Sequence, residues 1–259
     1  MSEYYNAKRQ RNLYDPEEKR PFRISRSKID LFLACPRCFY LDRRLGTDRP
    51  PGYPFALNSA IDFLLKKEFD VHRAKKETHP LMKEYGIDAI PYDHEKMNEW
   101  RENFKGVQYF DEQNNFYITG AIDDLWINPK GETHVVDYKS TAKEAEVNID
   151  ASWQISYKRQ MEVYQWLLRK NGLKVSNTGY FVYANGITDK KAFDAKLEFD
   201  IKIIPYDGDD KWIEPTLKDM KKYLDAKKIP AASRDCDFCN YRSAAYDLEH
   251  KKGEQSSLF

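Results

Sequence analysis

Long apolar runs are missing from this 259-residue chain: none approaches the roughly 20 residues that a bilayer-spanning helix needs. A helical membrane span is thereby excluded. The opening stretch, residues 1–20, also lacks the apolar centre of a secretion signal, so a cytoplasmic location with no membrane partner is expected. Neither sign of charge dominates, with 43 Lys and Arg against 42 Asp and Glu, so the whole-molecule field selects no partner. Internal repeats and coiled-coil heptads are absent, and the five histidines show no zinc-binding spacing. What remains is 41% hydrophobic and 14% aromatic, which excludes a disordered or collagen-like chain and provides for one sizeable globular domain.

Cysteine is scarce but patterned. The four residues fall in two pairs, Cys35-Pro-Arg-Cys38 and Cys236-Asp-Phe-Cys239, with 197 residues between the pairs. Two-residue spacing lets both thiolates of a pair face one metal, and two pairs complete a four-sulfur set, as in a zinc site or an iron–sulfur cluster. Charge is patterned too. Residues 1–50 hold 12 basic against 7 acidic side chains, and residues 107–150 hold 3 against 9. A basic flank beside an acidic middle suits a polyanion docking next to a cation site.

Three stretches follow from composition: a mobile basic arm over 1–21, a single domain over 22–248 closed by the cysteine site, and a flexible tail over 249–259. Ser25 and Ser27 read as helix caps before Ile29, Phe32 and Leu33, with Pro36 interrupting that helix. Leu57, Ala60, Ile61, Leu64 and Val71 form one apolar stripe of a helix over about 55–76. Residues 77–106 carry no clear period. Segments 116–119, 121–127 and 133–138 read as three strands of a meander, followed by a helix over about 152–170 with Trp153, Tyr157, Gln160, Tyr164 and Leu167 on one face. Strands over 178–183 and 197–204 and a helix over 212–227 complete an α/β order.

Asp123 falls in the middle strand of that meander, and Asp137-Tyr138-Lys139 ends the third. A hairpin brings both carboxylates and the lysine to one rim of the sheet. Paired carboxylates bind a hard cation such as Mg²⁺ or Mn²⁺, which lowers the pKa of a bound water. Lys139, two residues after Asp137, shares its strand face, where an ammonium orients water or neutralises phosphate.

In order and spacing, residues 25–242 resemble the RecB-like, CRISPR-associated exonuclease branch of the PD-(D/E)XK nuclease superfamily. Gly120-Ala-Ile-Asp123 looks like its first acidic motif, His134-Val-Val-Asp137-Tyr138-Lys139 its Asp-x-Lys motif, and Gln160-Met-Glu-Val-Tyr164 its Gln-x-x-x-Tyr helix. The two cysteine segments resemble those at the family's ends. The resemblance implies a restriction-endonuclease-like core, a central mixed β-sheet flanked by helices. It implies catalytic roles for Asp123, Asp137, Lys139, Gln160 and Tyr164, and a Mg²⁺ or Mn²⁺ site at Asp62, Asp123, Asp137 and Tyr138. Asp62 stands where the family often has a histidine. Cys35, Cys38, Cys236 and Cys239 would hold a 4Fe–4S cluster or, alternatively, Zn²⁺; the family's usual one-plus-three cysteine division is here two-plus-two. The implied activity is exonucleolytic hydrolysis of DNA in repair, recombination or replication. The alternative, an inactive nucleic-acid-binding or interaction module with a structural zinc site, leaves the intact Asp123, Asp137 and Lys139 set unused. Separately, Gln255-Ser-Ser-Leu258-Phe259 resembles the peptide that binds the bacterial sliding clamp, with Gln255, Leu258 and Phe259 as anchors.

Overall fold

A computed structural model describes residues 8–52 and 56–250. They form two compact units: residues 23–26 and 56–214 make one, and residues 8–22, 27–52 and 215–250 the other. No helix among the described residues is long and apolar enough to cross a membrane.

The first unit is built on a five-stranded mixed sheet. Its hairpin, β5 (Asp124–Ile127) and β6 (Thr133–Thr141), sets Asp124 opposite Val136. The turn is closed by Asn128, whose side-chain oxygen accepts the N–H groups of Lys130 and Glu132. β6 runs parallel to β7 (Thr178–Gly186), a pairing that requires a crossover. That crossover is α6 (Ile155–Lys170), entered through a 3-10 turn at Ser152–Gln154. β8 (Phe199–Asp207) and the two-residue β2 (Ile90–Pro91) pair antiparallel at the two edges, giving the order β2-β5-β6-β7-β8.

The expected meander is not formed. β4 (Phe116–Gly120) pairs instead with β3 (Val107–Asp111), in a separate sheet of order β1-β4-β3 that begins with β1 (Phe22–Ser25). The ladder stops because residues 121–123 bend away and find other partners. The Ile122 N–H donates to the Trp100 carbonyl at 3.1 Å, and the Arg101 Nε donates to the Asp123 carbonyl at 2.8 Å. Residues 77–106 are therefore ordered by their use, as α4 (Pro80–Glu84), β2 and α5 (Met97–Trp100).

The buried face of α3 (Ala56–Lys75) also differs from the expected stripe. Leu65, Phe69 and Arg73, spaced four apart, face the sheet. Phe69 stacks on Trp126 and His79, and beside Val136, Tyr138 and Val182 it forms the core on that side. Leu57, Leu64 and Val71 lie exposed, and of the expected stripe Ile61 packs against this core. Two apolar lines compete on this helix, and the one carrying the aromatic ring buries more surface.

The second unit joins the two ends of the described chain. Most of α1 (Arg26–Ala34) belongs to it, with α2 (Pro36–Leu45), most of α7 (Ile213–Asp225) and α8 (Asp237–His250). Phe32 meets Phe39 and Tyr223 edge-on. Residues 8–21, expected as a mobile arm, are tied down here. Tyr14 is buried with its hydroxyl on Asp225 at 2.5 Å, and Arg9 pairs with the buried Asp42 at 2.8 Å. α8 continues to His250, into the stretch expected as tail.

Candidate active site and cysteine centre

Strand alternation divides β6 between two faces. Val136 and Tyr138 enter the core beneath α3, so Asp137 and Lys139 point to the opposite face, toward α6. There the Lys139 ammonium contacts Asp137 and lies 4.6 Å over the Tyr157 ring. Asp123, in the bend before β5, accepts the Tyr138 main-chain N–H at 3.0 Å through Oδ2, which brings its carboxylate to the same rim. Asp62 of α3 completes the group. Asp62, Asp123, Lys139 and Tyr157, with Asn58 and Ser140, line a pocket of about 290 Å³.

Electrostatics set the chemistry. Burial pushes the fully enclosed Asp137 carboxyl up to about 6 despite Lys139, and Asp123 adds to the rise. Apart from the Lys139 ion contact, neither Asp137 oxygen has a hydrogen-bond partner among the described residues. Burial and Asp123 push the Asp62 carboxyl up as well. Lys66, four residues after Asp62 on one helix face, donates to Asp62 at 2.8 Å and to Asp123 at 3.0 Å. Its ammonium stands where a cation between those carboxylates would stand. Orphaned buried oxygens and an ammonium held between two carboxylates are the environment a hard divalent cation satisfies, and the residues fit one. Burial opposes the charge of Lys139, but Asp137 and Asp123 outweigh it and raise its pKa. Lys139 is thus held as the ammonium.

Of the residues expected at the site, Asp62, Asp123, Asp137 and Lys139 converge. Tyr138 contributes through its main chain, because its side chain is in the core with the hydroxyl donating to Asp124 at 2.7 Å. Gln160 donates to the Tyr164 hydroxyl at 3.1 Å. Tyr164 is buried, within electrostatic range of Asp123, Asp137 and Arg26. A Cβ at Gly120 would come within 2.7 Å of the Tyr164 ring, which explains the glycine that opens the first acidic motif.

Lys66, Tyr157 and Arg26 stand beside the site without a motif in the sequence that marks them. Nor does a local pattern reveal the partly buried lattice below the site, where Asp124 binds Arg73, Arg101 at 3.1 Å and the Tyr138 hydroxyl, and Asp70 joins both arginines at 2.9 and 2.8 Å. This lattice fixes the bend carrying Asp123. Lys66 was legible from its four-residue spacing to Asp62; the lattice, spread from Asp70 to Tyr138, had no local signal.

The cysteines form their own centre in the second unit. Pro36 starts α2 with Cys35 extended before it, as residues preceding proline prefer, so Cys35 and Cys38 stand at the first turn of a helix. Cys236 and Cys239 repeat the arrangement at α8. The first helical bonds match, Phe39 N–H to the Cys35 carbonyl at 3.0 Å and Asn240 N–H to the Cys236 carbonyl at 2.9 Å. All four sulfurs lie within 4.8 Å of one another, with separations of 3.6, 3.6 and 3.9 Å for Cys38–Cys236, Cys38–Cys239 and Cys35–Cys239. One tetrahedral ion with bonds of about 2.3 Å requires sulfurs about 3.8 Å apart. A cubane, with each cysteine on a separate iron, spaces its sulfurs at roughly 6 Å. Arg49 donates to the Cys236 sulfur at 3.4 Å. Burial resists ionisation of Cys35, but main-chain hydrogen bonds at Ser233 and Cys38 hold its thiol down to about 6.

A carboxylate triad with a buried lysine stands at the rim of a mixed sheet with an α crossover, a donor set that could hold a hard divalent cation. The family model described as the PD-(D/E)XK nuclease superfamily matches residues 64–244, and the chain belongs to that superfamily. Asp62, Cys35 and Cys38 lie outside the matched stretch. Among curated proteins none matches the sequence. A solved structure titled "Crystal structure of SSO0001" aligns at 15% identity over 83% of this chain and 82% of that one, with a TM-score of 0.35, and no role is transferred from it.

Proposed function

We propose that the protein is a Mg²⁺- or Mn²⁺-dependent deoxyribonuclease, a RecB-like exonuclease acting in DNA repair, recombination or replication. The observation that carries this reading is the Asp137 carboxylate, buried with no polar partner among the described residues but the Lys139 ammonium and within range of Asp123. Burying an ionisable group this way costs stability, and a bound cation offsets the cost. Asp62, Asp123, Asp137 and the Tyr138 main chain would hold the divalent cation, which when bound supplies a water of lowered pKa and positive charge for the phosphate. Lys139 stays protonated, faces the phosphate and attacking water, and stabilises charge as it develops. The Gln160–Tyr164 pair walls the site beside Gly120 and orients phosphate or Lys139. Labelled single-stranded and duplex DNA, incubated with Mg²⁺, Mn²⁺ or EDTA, tests the reading; cleavage in EDTA equal to that with metal would refute it.

For the cysteine centre, where a 4Fe–4S cluster or Zn²⁺ was expected, we infer one tetrahedral thiophilic ion, Zn²⁺, a reading the sulfur separations support. Anaerobically purified protein should be colourless with one equivalent of zinc; a brown protein containing iron contradicts this. Gln255, Leu258 and Phe259 lie outside the described residues, and their docking to a bacterial sliding clamp is proposed from sequence. Deleting residues 255–259 should remove clamp binding in surface plasmon resonance and leave cleavage of short oligonucleotides unchanged.

A further inference from the structure

On the expected aromatic face of the 152–170 helix, Trp153 is not buried; 54% of it is exposed. Leaving the largest apolar side chain in water forgoes much stabilisation. Its surroundings give the exposure a use. The indole meets the Tyr157 ring edge-on, with centroids 5.4 Å apart and planes at 82°. Tyr157 lines the carboxylate pocket and carries the Lys139 ammonium over its ring. Lys143 reaches 5.6 Å over the indole, its main chain clasped by the Asn185 side chain at 2.8 and 2.9 Å. Outward from Asp137 the order is therefore ammonium, phenol ring, indole, ammonium.

Alternating rings and cations match an unpaired nucleic-acid strand, whose bases stack on the rings while its phosphates sit on the ammonium groups, without sequence preference. Bases within a duplex are stacked on one another and offer the indole no free face. Resting on the nuclease reading above, we propose that Trp153, with Tyr157 and Lys143, is a stacking platform for a base of the strand entering the pocket.

The test is fluorescence anisotropy of labelled oligonucleotides on the full chain, in EDTA so that strands stay intact. Trp153→Ala should bind a single strand about 10-fold more weakly with blunt-duplex binding unchanged, and Trp153→Phe should retain most of the affinity. Single-strand binding should quench indole emission in the parent, and most of that quench should vanish in Trp153→Phe although binding persists. Parent-like single-strand affinity in Trp153→Ala overturns the platform, as does an equal loss for single strand and blunt duplex. A parent that cleaves DNA while Trp153→Ala binds unchanged removes the platform alone; a parent that neither binds nor cleaves DNA removes the nuclease reading with it.

Discussion

The carboxylate pocket and the cysteine centre each collect residues far apart in sequence, yet they are built on opposite plans. Four identical soft donors stand at two equivalent helix starts and close on one another, three of them buried. At the sheet rim, three carboxylates of unequal environment face two lysines around an open pocket. A closed sulfur set, once it holds an ion, would leave no position for substrate, whereas an open oxygen set would leave positions for water and phosphate. Cavity size does not separate them. A larger cavity, about 580 Å³, lies beside Cys38 and Cys239, lined by Leu41, Pro50, Phe238 and Tyr241 among others.

The strongest way to break this contrast is to remove one group from each plan. Asp123→Ala, Asp137→Ala or Lys139→Ala should each reduce DNA cleavage at least about 10³-fold while circular dichroism stays that of the parent. Any one of Cys35, Cys38, Cys236 or Cys239 changed to Ser should instead lower stability by roughly 3 kcal/mol or more, because metal binding there is folding energy. Denaturant unfolding checks the second, and similar losses at all four positions are expected. A Cys variant of parent stability that has lost cleavage would reverse the assignment.

Protons sharpen the contrast further. Burial raises the Asp137 carboxyl to about 6, so the metal-free site is ionised above that pH and protonated below it. Proton and cation compete for the same oxygens. The apparent Mn²⁺ affinity should therefore be level above about pH 6 and fall roughly tenfold per unit below it, as calorimetric titration would record. An affinity flat from pH 7 to 5 would remove Asp137 from the ligand set.

The smallest effect concerns Tyr138. With its side chain in the core and only its main chain at the site, Tyr138→Phe should cost about 1 kcal/mol for the lost hydrogen bond to Asp124. Cleavage should stay within a few-fold of the parent's. A loss as deep as that of Lys139→Ala would place the phenol at the site.

These outcomes also measure what the sequence could convey. Residues that act through short spacing were legible: Asp137 and Lys139 on one strand face, Gln160 and Tyr164 one turn apart, each cysteine pair at a helix start. Residues defined by tertiary competition were not. Leu57, Leu64 and Val71 form as regular a stripe as Leu65, Phe69 and Arg73, and packing against Trp126 and Tyr138 decided between them. The bend at 121–123 finds its hydrogen-bond partners in Trp100 and Arg101, in a stretch without period, so nothing local separates β4 from the strands that follow it. Trp153, expected on the aromatic core face of its helix, is exposed for the same reason: periodicity names a face without saying what covers it.

The central claim is that Asp137 holds the cation that cleaves DNA. Mn²⁺ binding by calorimetry, measured together with Mn²⁺-dependent cleavage of a labelled oligonucleotide, tests it most directly in the parent and in a folded Asp137→Ala variant. The account predicts that the variant loses both; metal binding and cleavage at parent levels in Asp137→Ala would contradict it.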